Sequence, residues 1–381
     1  MDPLDYHRAH RGKIEIKPKV PLNTAEDLAL AYTPGVGKVC MEIVAHPEQV
    51  GSLTNKSNTI AIVSDGSAIL GLGNIGPEAG LPVMEGKAMI FKTLADVDAV
   101  PLCIATQDTE EIVRFCKQIA PSFGGINLED ISAPRCFDIL DRLEKELSIP
   151  VFHDDQDGTA IVALAALINA TNVRGGDMQA LKIVVNGAGA AGIAIARLFS
   201  AYGISDIILV DSKGIVALGR DGMNVYKEHI ANISNPRGIT GSLSDALIGV
   251  DAFVGVSGPG LLSQEMVRSM APRPIIFAMA NPEPEILPDD AKEAGAFIIG
   301  TGRSDFPNQI NNALVFPGIF RALLDANTIP KTCVLSEHMT EVKIATAEAI
   351  ASVVTEPTRD HIIPTVMDPA VVPAIRAAIC I

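Results

Sequence analysis

The stretch PVFHDDQDGTAIVALAALINA places Asp154, Asp155 and Asp157 between an apolar run that reads as a strand and one that reads as a helix. Carboxylates this close repel one another unless water, a cation or helix amides compensate. Asp157 or Asp155 could cap the helix expected from about Thr159 to Asn169, where free N–H groups and the dipole favour an anion. That accounts for one acid or two, and the third needs another reason. Glu129 and Asp130 end a second apolar run, GGINL, so they also stand at a strand terminus. Oxygen ligands from separate strand ends suit Mg2+ or Mn2+, whereas zinc would want His and Cys clusters that the sequence lacks. His153 is the alternative ligand beside the acids, although a histidine at a strand end is more often a packing or hydrogen-bonding group.

Two further residues could move protons. Lys87 in GLGNIGPEAGLPVMEGKAMIFK leads straight into an apolar run, and desolvation there would lower its pKa towards that of a general base. The competing reading is a lysine snorkelling from a helix start, and the dense glycine frame favours function. Tyr32 in LALAYTPGVGKVC sits where an apolar helical segment meets T-P-G, a loop able to aim a phenol into a cleft. Tyrosines buried by the ring with one hydrogen bond are commoner, so Tyr32 alone proves little.

VVNGAGAAG sets Gly187, Gly189 and Gly192 in G-x-G-x-x-G spacing between a strand and a helix that opens with Ala190. In that context the pattern predicts a dinucleotide: a tight turn at Gly187, a side-chain-free approach for the pyrophosphate at Gly189 and close helix packing at Gly192. The next strand ends in Asp211, an acid placed to hydrogen-bond the adenosine ribose, and Ser257 follows a later strand in VDAFVGVSGPG. Asp211 favours NAD because a carboxylate repels a 2′-phosphate, but Ser212 and Lys213 follow at once and could accept it. The choice stays open.

The elements that must carry these residues form two halves. From Asn58 to about Pro150, NTIAIVSD, VDAVPLCIAT, FGGINLEDI and SIPVFHDD alternate with helix-like segments, which predicts a parallel α/β sheet. The second half repeats the logic with LKIVVNG, SDIILVDSKG, VDAFVGVSGPG, RPIIFAMANP and AFIIGTG, and reads as doubly wound. The helix at Thr159 and the polar turn TNVRGGDMQA join them, so the acids are expected at a domain junction, where small ligands usually bind. TEVKIATAEAIASVV and DPAVVPAIRAAIC carry helical periodicity and should pack on the body or on a second subunit.

Bulk properties exclude other classes. With 48% hydrophobic and 20% charged residues the chain is compact, and a formal net charge of −15 leaves no basic field for nucleic acid. Cys40, Cys103, Cys116, Cys136, Cys333 and Cys380 contain no C-x-x-C pair and read as buried thiols of a reducing compartment. The charged N-terminus has no apolar signal region and the apolar runs are broken early, which predicts a cytoplasmic protein outside the membrane.

AYTPGVGKVC, SDGSAILGLGNIGPEAGLPVMEGKAMIFK, FGGINLEDISAPRCF, VFHDDQDGTAIV, VVNGAGAAG, MANPEPEI and NQINNALVFPGIF together resemble the malic enzymes, in particular their short bacterial form. The matches run through nearly the whole chain in family order. The resemblance implies an N-terminal α/β malic-enzyme domain over residues 1–158 and a C-terminal Rossmann-type, doubly wound parallel-sheet domain over 159–381 that ends the chain with helices. It implies Tyr32 as general acid, Lys87 as general base, Asp154 as the group that orients or tunes the lysine, and Glu129, Asp130 and Asp155 as ligands of Mg2+ or Mn2+. Asn281 and Asn312 match positions that touch substrate and the nicotinamide of NAD or NADP. The implied reaction is oxidative decarboxylation of L-malate to pyruvate and CO2. On this reading Asp157 is left for the helix cap.

The sequence departs from the family at Ala68, where larger members carry an arginine that grips a substrate carboxylate, and at Asp157, where short forms more often carry histidine. Carboxylate binding is then expected from Asn281, Asn312 and backbone amides. The family forms dimers or dimer pairs, and the apolar segment from Leu28 to Val44 is the expected contact, with Tyr32 completing a neighbour's site. The alternatives are a metal-dependent oxaloacetate decarboxylase, a malolactic converter that keeps its NAD, and a non-catalytic nucleotide-sensing subunit.

Overall fold

The computed structural model describes residues 2–69, 71–328 and 338–379. Its first sheet is built from β1 (Thr59–Ser64), β2 (Asp98–Cys103), β3 (Gly125–Leu128) and β4 (Val151–His153), all parallel, in the order β2-β1-β3-β4. Its second holds β5 (Lys182–Asn186), β6 (Asp206–Asp211), β7 (Gly214–Ile215), β8 (Ala252–Gly255), β9 (Ile275–Ala278) and β10 (Ile298–Thr301), in the order β10-β9-β8-β5-β6-β7. Only β7 runs antiparallel, to β6, a short turn-back absent from the sequence reading. The buried apolar runs of β1, β5, β8 and β9 suit sheets covered on both faces by helices, whereas β2, at the edge of the first sheet, is only partly covered.

Register places the chemistry. Leu128 pairs with His153, so Glu129 and Asp154 leave neighbouring parallel strands at the same end. In the second sheet the order reverses between β5 and β8, and the C-terminal ends at that switch point flank a ligand crevice.

The helix Pro77–Ala95 starts with proline at its first turn and buries Gly80, Met84, Lys87, Ala88, Phe91 and Ala95. Apart from the adjacent Lys87 and Ala88 these follow one another at three or four residues along one stripe, so the only charged member, Lys87, is driven inward with the apolar ones. The helix Thr159–Arg174 is buried from Ala160 to Leu167 and again at Asn169 to Thr171. It runs five residues past the expected Asn169 and absorbs TNVR, because its surroundings cover it on nearly every face and leave the polar turn to start at Gly175.

The chain then crosses back. Phe316 and Phe320, on the helix Phe316–Thr328, pack on Phe91 with ring centroids 4.7 and 5.5 Å apart, and Phe320 also meets Phe152 at 5.9 Å. One apolar core therefore spans both sheets. The helix Met339–Val353 is tied to the body where Asn169 Nδ2 donates to the carbonyls of Ala351, at 2.8 Å, and Ile362, at 3.0 Å.

The expectation of buried thiols holds for Cys116 and Cys136, whose pKa values burial pushes up to about 12. It fails for Cys40, which is exposed on an N-terminal helix, and for the partly covered Cys103. Cys333 and Cys380 lie outside the described residues.

Candidate active site at the sheet junction

The C-terminal ends of β3 and β4 and the buried stripe of the Pro77–Ala95 helix converge on a cleft of about 900 Å³. Lys87 Nζ lies 2.7 Å from Glu129 Oε1, donates to Asp154 Oδ2 and stands 4.2 Å above the Phe316 ring. Burial alone would lower the lysine pKa, as the sequence suggested, but Asp154 and Glu129 outweigh it and raise the pKa above the ordinary lysine range. The same burial pushes Glu129, Asp154 and Asp155 up, against the pull of Lys87. One lysine thus faces more negative charge than it can balance.

Glu129, Asp130 and Asp155 each present an oxygen within 4.8 Å of the others. The Asp130 amide donates to Asp155 Oδ2 at 2.8 Å and fixes the mutual orientation of the two loops. This all-oxygen, charge-rich donor set fits a hard divalent cation. His153 does not belong to it: the ring is fully buried, and burial first of all lowers its pKa to about 4, leaving it neutral behind the acids.

Asp154 to Gly158 form a π-helical turn, and Asp154 Oδ1 packs so tightly on Gly158 that a Cβ there would lie 1.9 Å away. The opening turn gives the three acids separate tasks. Asp154 meets Lys87 and Asp155 faces the cleft, while Asp157 pairs with Lys343 Nζ at 2.8 Å. The expected cap is therefore corrected. The cap position of the Thr159–Arg174 helix is Gly158 with no side-chain bond, and Asp157 instead clamps the turn to the C-terminal helix. Lys343 escaped the sequence reading because an isolated lysine on a distant helix carries no pattern.

The nucleotide loop forms a second cavity of about 970 Å³ lined by Gly187, Gly189, Asp211, Lys213, Lys227 and Ser257. Gly187 has φ of +124°, nothing stands within 4 Å of a Cβ at Gly189, and a Cβ at Gly192 would lie 1.6 Å from the Gly187 carbonyl oxygen. The tight turn at Gly187 and the close helix packing at Gly192 are those the spacing foretold, and the space over Gly189 is open. Asn186 Nδ2 donates to Ser257 Oγ at 2.8 Å across the switch point. Ser257 borders both cavities, and Ala190, Asn281, Asn312 and Ala68 line the first, so the cavity with the acids and the cavity with Asp211 adjoin at Ser257.

Asp211 is already engaged by Arg220 and Lys227. The sequence reading missed this pair, although two cations within sixteen residues of a fingerprint acid are a usable signal. It also missed Glu285, whose buried carboxylate accepts from the amides of Ser257 and Ala280, at 3.1 Å each, and ties together the loops after β8 and β9.

Tyr32 is the predicted site residue that the single chain does not bring to the cleft. It follows the helix Ala25–Ala31 and is 66% exposed. Leu30 and Val44, on the two flanking helices, are 78% and 70% exposed, and the helices Ala25–Ala31 and Val36–Ala45 bury no residue. By length and hydropathy the span Ala25–Ala45 passes for a membrane-crossing segment, yet it is broken in two around Pro34.

Comparison with known proteins agrees with this arrangement. The malic enzyme N-terminal domain family matches residues 11–144, and the malic enzyme NAD-binding domain family matches 156–378. A bifunctional malic/malolactic enzyme of Bacillus subtilis is 53% identical over 99% of this chain and 91% of its own length. An NADP-dependent malic enzyme of Rhizobium meliloti is 46% identical over 100% of this chain, which spans 51% of that protein. The crystal structure of an NAD-dependent malic enzyme from Thermotoga maritima superposes with a TM-score of 0.94 at 46% identity, covering 100% of this chain and 99% of that one. Two sheets joined at a carboxylate-rich cleft, with family models covering both halves, place this chain in the malic enzyme family.

Proposed function

We propose that the chain catalyses the oxidative decarboxylation of L-malate to pyruvate and CO2 with reduction of NAD+ or NADP+, at the cleft between the two sheets. The observation that carries the reading is Lys87 held between Asp154 and Glu129, beside an oxygen cluster and in a cavity that adjoins the glycine-loop cavity at Ser257. When bound by Glu129, Asp130 and Asp155, a divalent cation would supply positive charge against the malate C1 carboxylate and C2 oxygen, and the oxidised nicotinamide the hydride acceptor. Lys87 Nζ takes the proton of the C2 hydroxyl as the hydride departs. Neutralising Glu129 removes one of the two charges that keep the lysine protonated, so occupation of the acid cluster and release of the base are linked. Asp154 holds the ammonium in line. Asn281 and Asn312, which line the same cleft as Ala68, are the amides available to the substrate carboxylate in place of the missing arginine.

After the C4 carboxylate has left as CO2, C3 needs a proton, for which Tyr32 is the assigned donor. Its exposure, with the uncovered apolar faces of the Ala25–Ala31 and Val36–Ala45 helices, supports a homodimer in which Tyr32 serves the neighbouring cleft.

The test combines purified protein, L-malate and Mn2+ with NAD+ or NADP+, following reduced nicotinamide and pyruvate together, with and without a chelator. Equal amounts of both products, abolished by the chelator, are expected. Lactate formed without accumulating reduced nicotinamide would instead establish the malolactic reading, an activity that the name of the Bacillus subtilis relative gives beside the malic one.

A further inference from the structure

Resting on the malic enzyme reading, the geometry points to a 2′-phosphate subsite at the far end of the nucleotide cavity. It is formed by Lys213 and Lys227 on a scaffold of Asp211 and Arg220, so that the chain takes the 2′-phosphorylated dinucleotide in preference to the unphosphorylated one. Relatives named for either cofactor occur among the similar proteins, and family membership does not decide the matter.

The argument begins with the acid. A carboxylate offers about four lone-pair positions, and a ribose diol needs a free one. Asp211 Oδ1 accepts from the Lys213 amide at 2.9 Å and from Arg220 Nη1 at 2.9 Å. Its Oδ2 accepts from Arg220 Nη2 and Lys227 Nζ, both at 2.6 Å. All four positions are taken by the chain's own donors. Burial opposes the charge, but the bonds from Arg220 and Lys227 prevail and hold the Asp211 pKa well below the usual carboxylate range. Asp211 is therefore an anchor for cations, with no lone pair left for the ribose.

The charges around it point the same way. Lys227 has three ammonium hydrogens and spends one on Asp211, while its side chain lines the cavity. Lys213 lines the same cavity and forms no ion pair among the described residues; its Nζ would lie 3.0 Å from a Cβ at Gly222. Lys213, Arg220 and Lys227 outnumber Asp211 and Asp245, whose carboxylate lies against Gly241 on the cavity wall, so this corner keeps a surplus positive charge in a chain whose formal net charge is −15. Repulsion of a 2′-phosphate by the fingerprint acid is cancelled where it would arise, and the dianion gains two charge-assisted partners.

Calorimetry on the full chain with adenosine 2′,5′-bisphosphate and with 5′-AMP tests this without turnover. The bisphosphate is expected to bind roughly tenfold tighter or more, with the ratio falling at least about fivefold in Lys227→Gln and also in Lys213→Gln. The wild-type preference should also shrink between low and high salt. Equal or tighter binding of 5′-AMP, or a ratio untouched by either substitution, overturns the subsite while leaving the nucleotide cavity in place. Failure of both ligands to bind to folded protein overturns the subsite and the nucleotide reading together. Steady-state malate oxidation separates the two further, since turnover with NAD+ alone keeps the reaction and discards the subsite.

Discussion

At the residue scale, two adjacent aspartates on one turn have different partners and so different consequences when neutralised. Asp155 faces Glu129 and Asp130 across the oxygen cluster, and Asp154 meets Lys87. Asp155→Asn should raise the Mn2+ concentration for half-maximal activity by roughly ten- to a hundredfold. Asp154→Asn should leave that concentration within a few-fold and lower kcat by about two orders of magnitude, since it disturbs Lys87, the proposed proton acceptor. Metal titration of both variants' activity checks the contrast, and indistinguishable metal dependences would refute the division of labour. The division was half legible beforehand. Spacing at strand ends singled out Glu129, Asp130 and Asp155, because parallel strands deliver their next residues to one edge. The partner of Asp157 could not be read, because Lys343 lies 186 positions away and no local pattern links two residues brought together by packing alone.

At the element scale, the π-helical turn is gripped from behind. The helix Arg135–Glu146 brings Glu144 close to Lys343 and Asp157, and burial first of all raises the Glu144 pKa to about 7, with Lys343 pulling it down and Asp157 pushing it further up. A carboxyl raised in the native state stabilises the fold fully below the unfolded value, near 4.3, and loses that contribution as pH rises through 7. Glu144→Gln should therefore raise the melting temperature more at pH 8 than at pH 5, with a difference on the order of 1–2 kcal/mol. Thermal melts at the two pH values decide it, and an equal effect at both would show that Glu144 titrates normally. Strands were the most legible elements, since apolar runs closed by Gly, Asn or Asp leave few other readings. The antiparallel β7 was not, because two residues carry no period.

For the whole molecule, the assigned proton donor and the assigned base sit in regions that one chain does not join. If Tyr32 works in a neighbouring cleft, Tyr32→Phe and Lys87→Ala should each be nearly inactive, yet regain up to about a quarter of wild-type activity when mixed and allowed to exchange subunits. In the mixed dimer one cleft holds both native residues. Mixtures as inactive as the parents, despite proven exchange, would place Tyr32 in its own chain's site. Two domains and their order were legible from repeated strand-helix alternation, but the return of the Phe316–Thr328 helix to the first sheet was not, since Phe316 and Phe320 find Phe91 and Phe152 only in three dimensions. That crossing also limits how the protein can be re-engineered. A chimera made by joining residues 1–158 to another nucleotide-binding half inherits a foreign Phe316–Thr328 segment, and with it a mismatched wall beneath Lys87. Exchange of cofactor preference is better sought by grafting the 211–227 loop alone, which leaves the aromatic seam with its original partners.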